Sequence, residues 1–322
     1  MKRTSIAVLA FVLFPLAVSA QQRIALREGL IIDPTQPVAY VMTPERGIAA
    51  IDLITGGTRW TSTAAAKPLA IVGNRLVGQV ESAALTNRLE LVSIDVQERG
   101  RVAARNAAEL PGGVRVTVGE SLAGTFISTA QADGSNVLVT WRWTADAATG
   151  MKEDAGDDDA NRVSPKAVRR ITPVIGGVRM NPATGAMTRV STERVIPVAS
   201  SPWVLAASQR LRVDDGKGVQ YESADGKHVL VSERAGDDRT WDKYRWVVFD
   251  RVTGQKLGET RSHVSFAPFV VRDSILVFET TPYTAPKSAE QQAKLRGVSL
   301  DTGREKWSVP VREVVFRGLT PP

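Results

Sequence analysis

The sequence contains no cysteine and only two histidines, His228 and His263. The first absence excludes disulfides, thiol nucleophiles, thiolate-bound metals and iron–sulfur clusters, so stability must come from buried apolar area. The second excludes a metal centre built from histidine alone. After residue 20 no run reaches the roughly 20 apolar residues that a membrane helix needs. No glycine-rich phosphate loop occurs. Gly119-Glu120-Ser121-Leu122-Ala123-Gly124 has the composition of a nucleophile elbow, but its spacing is wrong and no helix is expected there. An excess of one charge is also lacking: 41 Lys and Arg face 34 Asp and Glu, a formal +7 scattered along the chain. That is a mildly basic surface, not the clustered stripe of a nucleic-acid binder.

What is present begins with an address. Lys2 and Arg3 precede an uncharged apolar stretch over residues 6–18, and Val18-Ser19-Ala20 offers a small-residue cleavage site. This pattern predicts a secretory signal peptide over 1–20 and an exported mature chain, periplasmic or secreted. No cysteine follows Ala20, so a lipoprotein is not expected. Residues 21–322 are expected to form one domain, with loop inserts near 145–165, 192–213 and 281–294 that fit no strand template.

A repeat runs through that domain. Its cleanest copy is Ile48-Ala49-Ala50-Ile51-Asp52-Leu53-Ile54-Thr55-Gly56-Gly57-Thr58-Arg59-Trp60. A second copy carries Asp250, Thr253 and Gly254, and a third Asn181, Thr184 and Gly185. A fourth, with Asp301, Thr302 and Gly303, reads on to Trp307 across a turn two residues shorter. A degenerate fifth runs from Leu89 through Asp95 to Gly100. In each, an alternating apolar stretch reads as a half-buried strand. The acid or amide then starts a turn on its own backbone, and glycine supplies a positive φ. Another apolar strand precedes each unit. Ala132-Asp133-Gly134 and Ala224-Asp225-Gly226 introduce two of these, and Asp-Gly between apolar runs is a strong hairpin signal. Four strands recurring in this order predict an all-β propeller of four-stranded antiparallel blades, with five units recognisable and five to eight blades possible. Closure is expected to pair 24–32 with 309–316.

The pattern Ala50-x-Asp52-x-x-Thr55-Gly56-x-x-x-Trp60 resembles the docking motif of the pyrrolo-quinoline-quinone (PQQ)-type β-propeller repeats. The resemblance implies that the Trp packs between adjacent blades and that the Asp–Thr–Gly turn closes the last hairpin. Gly258 stands where the second copy's Trp would fall. The family includes quinone-dependent dehydrogenases with a catalytic Asp, a calcium ion and often a Cys pair, and also an outer-membrane-assembly scaffold. This chain has no Cys, and no Asp in it aligns with the catalytic one; Asp52, Asp250 and Asp301 read as turn formers. No cofactor is expected, with PQQ or calcium as the alternative.

Two constellations remain. Asp154, Asp157, Asp158 and Asp159 gather oxygen ligands of the kind calcium prefers, without the spacing of a helix–loop–helix site. They read either as a calcium site or as a solvated loop neutralised by Arg162, Lys166, Arg169 and Arg170. Trp141, Trp143, Trp241, Tyr244 and Trp246 read either as packing between blades or as anchors for a partner. An exposed sheet edge could also capture an extended peptide. The expected function is a non-enzymatic envelope scaffold that recognises a protein or peptide through a propeller face; the alternative is a PQQ- or metal-dependent oxidoreductase using the central channel.

Overall fold

The Thr-Gly units become hairpins in the computed structural model, which describes residues 28–121, 123–145, 172–191, 203–205, 219–223, 226–235, 244–262, 269–271, 274–279, 293–299, 302 and 304–314. The motif's side chains hold each turn. Asp52 Oδ1 accepts from the N–H groups of Ile54 and Thr55 at 2.9 and 3.0 Å, and Thr55 Oγ1 accepts from Gly57 N at 3.2 Å. Gly56 N donates to Asp52 O at 2.8 Å, which requires the left-handed φ of 73°. Asn181–Thr184 and Asp250–Thr253 repeat these bonds within 0.3 Å. Asp95 makes the same pair of bonds to Gln97 and Glu98 in a turn one residue longer, closed by Gly100.

The fourth unit's turn is not shortened. Ser299 N donates to Arg304 O at 2.9 Å, the same offset as Asp52 N to Gly57 O. Ser299 therefore holds the position of Asp52, Thr302 that of Thr55 and Trp307 that of Trp60. Asp301 and Gly303 lie outside the described residues. Counting the turn from Asp301 mistook its third residue for its first.

Five antiparallel sheets follow one another along the chain. Blade 1 is β1 (Leu30–Ile32), β2 (Val38–Met42), β3 (Ile48–Asp52) and β4 (Thr58–Ser62). Blade 2 is β5 (Lys67–Val72), β6 (Arg75–Gln79), β7 (Arg88–Asp95) and β8 (Arg101–Glu109). Blade 3 is β9 (Gly119–Ser121), β10 (Gly124–Asp133), β11 (Asn136–Ala145), β12 (Val174–Met180) and β13 (Met187–Val190). Blade 4 is β14 (Trp203–Leu205), β15 (Val219–Ser223), β16 (His228–Arg234), β17 (Tyr244–Asp250) and β18 (Lys256–Ser262). Blade 5 is β19 (Phe269–Val271), β20 (Ser274–Glu279), β21 (Lys294–Ser299) and β22 (Glu305–Pro310). β14 falls inside the stretch 192–213 that matched no strand template, and Lys294, the last residue of the expected insert 281–294, opens β21.

Burial gives the radial order. β5 lies against β1 and β2 on one side and β10 and β11 on the other, so β1, β5 and β10 face inward. β2 and β3 are almost wholly buried, whereas the last strands β4 and β8 are mostly exposed. Blades 1 and 2 share a core of Tyr40, Ile48, Ala50, Leu76, Val92 and Ile94. Blades 2 and 3 share another that includes Val77, Leu89, Leu91, Phe126, Val139 and Trp141. Fully burying each large aliphatic of this kind stabilises the fold by about 1.5–3 kcal/mol. The described residues thus form an all-β propeller of five blades.

The tryptophan of one blade docks on the turn glycine of the next. A Cβ at Gly100 would lie 2.6 Å from the Trp60 ring, and one at Gly56 would lie 2.5 Å from Trp307. The second contact brings blade 5 against blade 1, where Leu30, Val41, Ile51 and Leu53 share a core with Leu295, Trp307 and Val311. Closure is therefore by packing. The expected pairing of 24–32 with 309–316 is not formed among the described residues: β1 pairs with β2, and β22 with β21.

Candidate functional site

Antiparallel order sends the connections to two ends. The β1–β2, β3–β4, β5–β6, β7–β8 and later equivalent turns share one end, and none exceeds the six residues of 181–186. From the other end leave the short connections 43–47 and 63–66 and the longer ones 80–87, 110–118, 146–173, 206–218, 235–243 and 280–293. Long connections on a rigid scaffold are where binding groups are placed most often.

At that end, the inner edges of blades 1–3 meet around a buried cation. Lys67 opens β5 and is 2% exposed. Its Nζ donates to Ser128 O at 2.9 Å and Ser128 Oγ at 3.2 Å, and lies 3.5 Å from Glu28 Oε2. Ser128 Oγ donates to Gln79 Oε1 at 2.5 Å, and Gln79 Nε2 donates to Thr117 O at 2.9 Å. Burial pushes the Lys67 ammonium below its ordinary value, against the opposing pull of the Glu28 carboxylate. A lysine beside a serine hydroxyl has the composition of a nucleophile and its base. Here the serine is 2% exposed and its proton is already given to Gln79, so the cluster ties three blades together.

Apolar contacts close the same edge. Met42, Ala66 and Val118 are buried together with Val314 packed on them. Arg312 N donates to Met42 O at 2.8 Å, and its guanidinium grips Glu81 at 2.5 and 2.7 Å. The segment after β22 therefore straps blade 5 to blades 1 and 2. At the opposite end, Asp33 accepts from Thr35, Gln36 and the Tyr40 hydroxyl. Burial, then the Asp33 charge, push the Tyr40 phenol up.

The residues singled out in the sequence fall into three groups. Asp52, Thr55, Gly56, Trp60, Asn181, Thr184, Gly185, Asp250, Thr253, Gly254, Thr302 and Trp307 sit in the turns and blade junctions described above. The Thr253 N–H and hydroxyl hold the Asp250 carboxyl below its ordinary value. Trp141, Trp143 and Trp246 are 5, 5 and 1% exposed, so in this fold they pack the core and cannot anchor a partner from the surface. Tyr244 is half-buried at the start of β17. Asp154, Asp157, Asp158, Asp159 and Trp241 lie outside the described residues. Sequence reading missed Lys67, although one lysine inside Ala64-Ala65-Ala66-Lys67-Pro68-Leu69-Ala70 was a signal for a buried charge.

A propeller with short turns at one end and long connections at the other is the class that this geometry defines. No protein-family model matches the sequence, and no curated protein does. Among solved structures the chain is similar to BamB from Moraxella catarrhalis, at 17% identity over 89% of this chain and 64% of that one, with a TM-score of 0.29. It is also similar to a europium-containing methanol dehydrogenase, at 12% identity over 88% of this chain and 68% of that one, TM-score 0.24. A third is quinohemoprotein alcohol dehydrogenase from Comamonas testosteroni, at 11% identity over 90% and 43%, TM-score 0.28. The chain spans less than two thirds of the BamB chain and less than half of the alcohol dehydrogenase.

Proposed function

We propose that this chain is a non-enzymatic binding module of the cell envelope, recognising a protein or peptide through the end that carries its long connections. The observation that carries this reading is the asymmetry of the two ends: tight turns of six residues or fewer at one, the long connections at the other. Among the described residues of blades 1–3, side chains pack the inner edge beneath those connections. Met42, Ala66 and Val118 pack against one another, and Lys67 and Ser128 close the polar side. On this reading the recognition surface is the connections themselves. Exported chains meet their partners in the envelope, which fits the leader expected over 1–20.

A photo-crosslinking residue placed at Leu85, on the 80–87 connection, and separately at Ile54, on a short turn, tests the reading in envelope extract. Both side chains are exposed, at 49 and 42%, so either variant should fold. Adducts from Leu85 and none from Ile54 are expected. Adducts from Ile54 alone, or equally from both, would overturn the proposal.

A further inference from the structure

Beneath the 80–87 connection lies a cavity of about 170 Å³ lined by Val80, Ser82, Thr86, Arg88, Glu90 and Val116. The walls are held in place. Val116 N donates to Thr86 O at 2.8 Å, Leu110 N to Asn87 O at 2.7 Å, and Asn87 Nδ2 to Leu110 O at 3.3 Å. The 80–87 connection is thus pinned to 110–116, and the cavity is preorganised.

Its charges are unbalanced. Glu90 is paired with Arg105, and Glu81, next to Val80, is gripped by Arg312. Arg88 is exposed, and among the described residues no carboxylate lies within ion-pair distance of its guanidinium. Among the described residues the lining therefore presents one unpaired guanidinium, the Ser82 hydroxyl, which accepts from Ala84 N at 3.3 Å, the Thr86 hydroxyl, which donates to Arg88 O at 3.5 Å, and two valines. An unpaired guanidinium beside hydroxyl groups suits a planar carboxylate, which can accept two parallel N–H bonds. The volume is close to that of a cavity of about 150 Å³ that accepts benzene, so a fragment of a few heavy atoms fits and a cofactor does not.

We infer that this cavity is a carboxylate-binding site, seating a carboxylate carried on a short apolar stem, with Arg88 as the charge partner and Val80 and Val116 as the apolar wall. The identity of the bearer as part of a protein or peptide rests on the proposed function; the carboxylate chemistry stands on the cavity alone. Two bearers offer the same group, a chain terminus and an acidic side chain.

Nitrogen-resolved NMR of the full chain separates them. The tripeptide Ala-Ala-Val as free acid, its C-terminal amide, and N-acetyl-aspartyl amide are titrated in turn. The free acid is expected to shift the Arg88 Nε–Hε and Val116 N–H signals saturably, with a Kd in the millimolar range typical of one charge-assisted contact. Its amide should leave both unchanged. Arg88→Gln should abolish the response, with the remaining spectrum intact as the control for folding. A shift with N-acetyl-aspartyl amide also supports the site and assigns it to acidic side chains. An equal response to the tripeptide amide, or none at Arg88 with any carboxylate, overturns the inference. If the Leu85 cross-links form while the titration fails, only this inference falls. If the titration succeeds while the cross-links fail, the cavity stands and the partner reading falls.

Discussion

Trp307, near the end of the described chain, lies against the Cα of Gly56, the turn glycine of the first blade. A Cβ there would sit 2.5 Å from Trp307 Cβ, and Gly56 also has a φ of 73°. Gly254 has a φ of 69° but nothing within 4 Å of its missing Cβ. The pair separates backbone strain from docking. Gly254→Ala should cost about 1 kcal/mol, the left-handed penalty alone. Gly56→Ala should cost about 3 kcal/mol, because overpacking adds to that strain. Equilibrium denaturation of the two variants measures the difference, and equal losses would show that Trp307 does not dock there.

The docking position recurs four residues after each turn glycine, but it is not always a tryptophan. In blade 2 it is Ala104, whose Cβ lies 3.1 Å from the Cβ position of Gly185. Asn106 Nδ2 donates to Gly185 O at 2.8 Å, and Arg189 reaches Glu109 O, drawing blade 3 close where a ring would otherwise stand. Ala104→Trp, although it restores the repeat pattern, should therefore destabilise by about 1–3 kcal/mol. A rise in Tm would mean that blades 2 and 3 are further apart than described.

Lys67 gives the fold a pH signature. Its folded-state pKa lies below the ordinary 10.5, so between the two values the unfolded chain binds more protons than the folded one. Stability should rise with pH through that window, up to about 10.5, and fall again as pH drops through the folded pKa. In Lys67→Met/Glu28→Gln this slope should vanish. The single Lys67→Met, which leaves Glu28 unpaired, should be the less stable of the two variants at neutral pH. Thermal denaturation across alkaline pH reads both effects, and an unchanged slope in the double variant would remove Lys67 as its source.

The strap after β22 should show as a coupling. Arg312 and Glu81 are 23 and 12% exposed and bonded through both oxygens. A double-mutant cycle of Arg312→Ala and Glu81→Ala should give an interaction of about 1 kcal/mol that weakens with salt. Strict additivity would mean that the residues after β22 do not hold blades 1 and 2.

The blade order was legible because its turns are local: an Asp or Asn, a Thr and a Gly at fixed offsets bind one another's backbone within five residues. The same locality misled at Ser299, where a hydroxyl residue took the Asp position and Asp301 drew the register two residues on. Burial was less legible. Alternation places Trp141 and Trp143 on one face of β11, but which face a neighbouring blade covers is a property of the whole ring. Lys67 was half legible: its apolar neighbours signal a buried charge, but its partners Ser128 and Glu28 lie on different blades, and no local pattern announces them. The Arg88 cavity likewise joins the β6–β7 connection to residue 116, which the Thr86–Val116 bridge and the Asn87–Leu110 bonds bring together.

The most direct test of the account is the affinity of a partner recovered through Leu85 for two charge-bearing variants of the full chain. Leu85→Glu alters the end with the long connections, and Val252→Glu alters a short turn where the side chain is 90% exposed. Neither substitution touches the core, so both proteins should fold as the parent does. The account predicts a loss of about tenfold or more, roughly 1.4 kcal/mol, for Leu85→Glu and none for Val252→Glu. A loss confined to Val252→Glu would contradict it and move the recognition surface to the opposite end of the propeller.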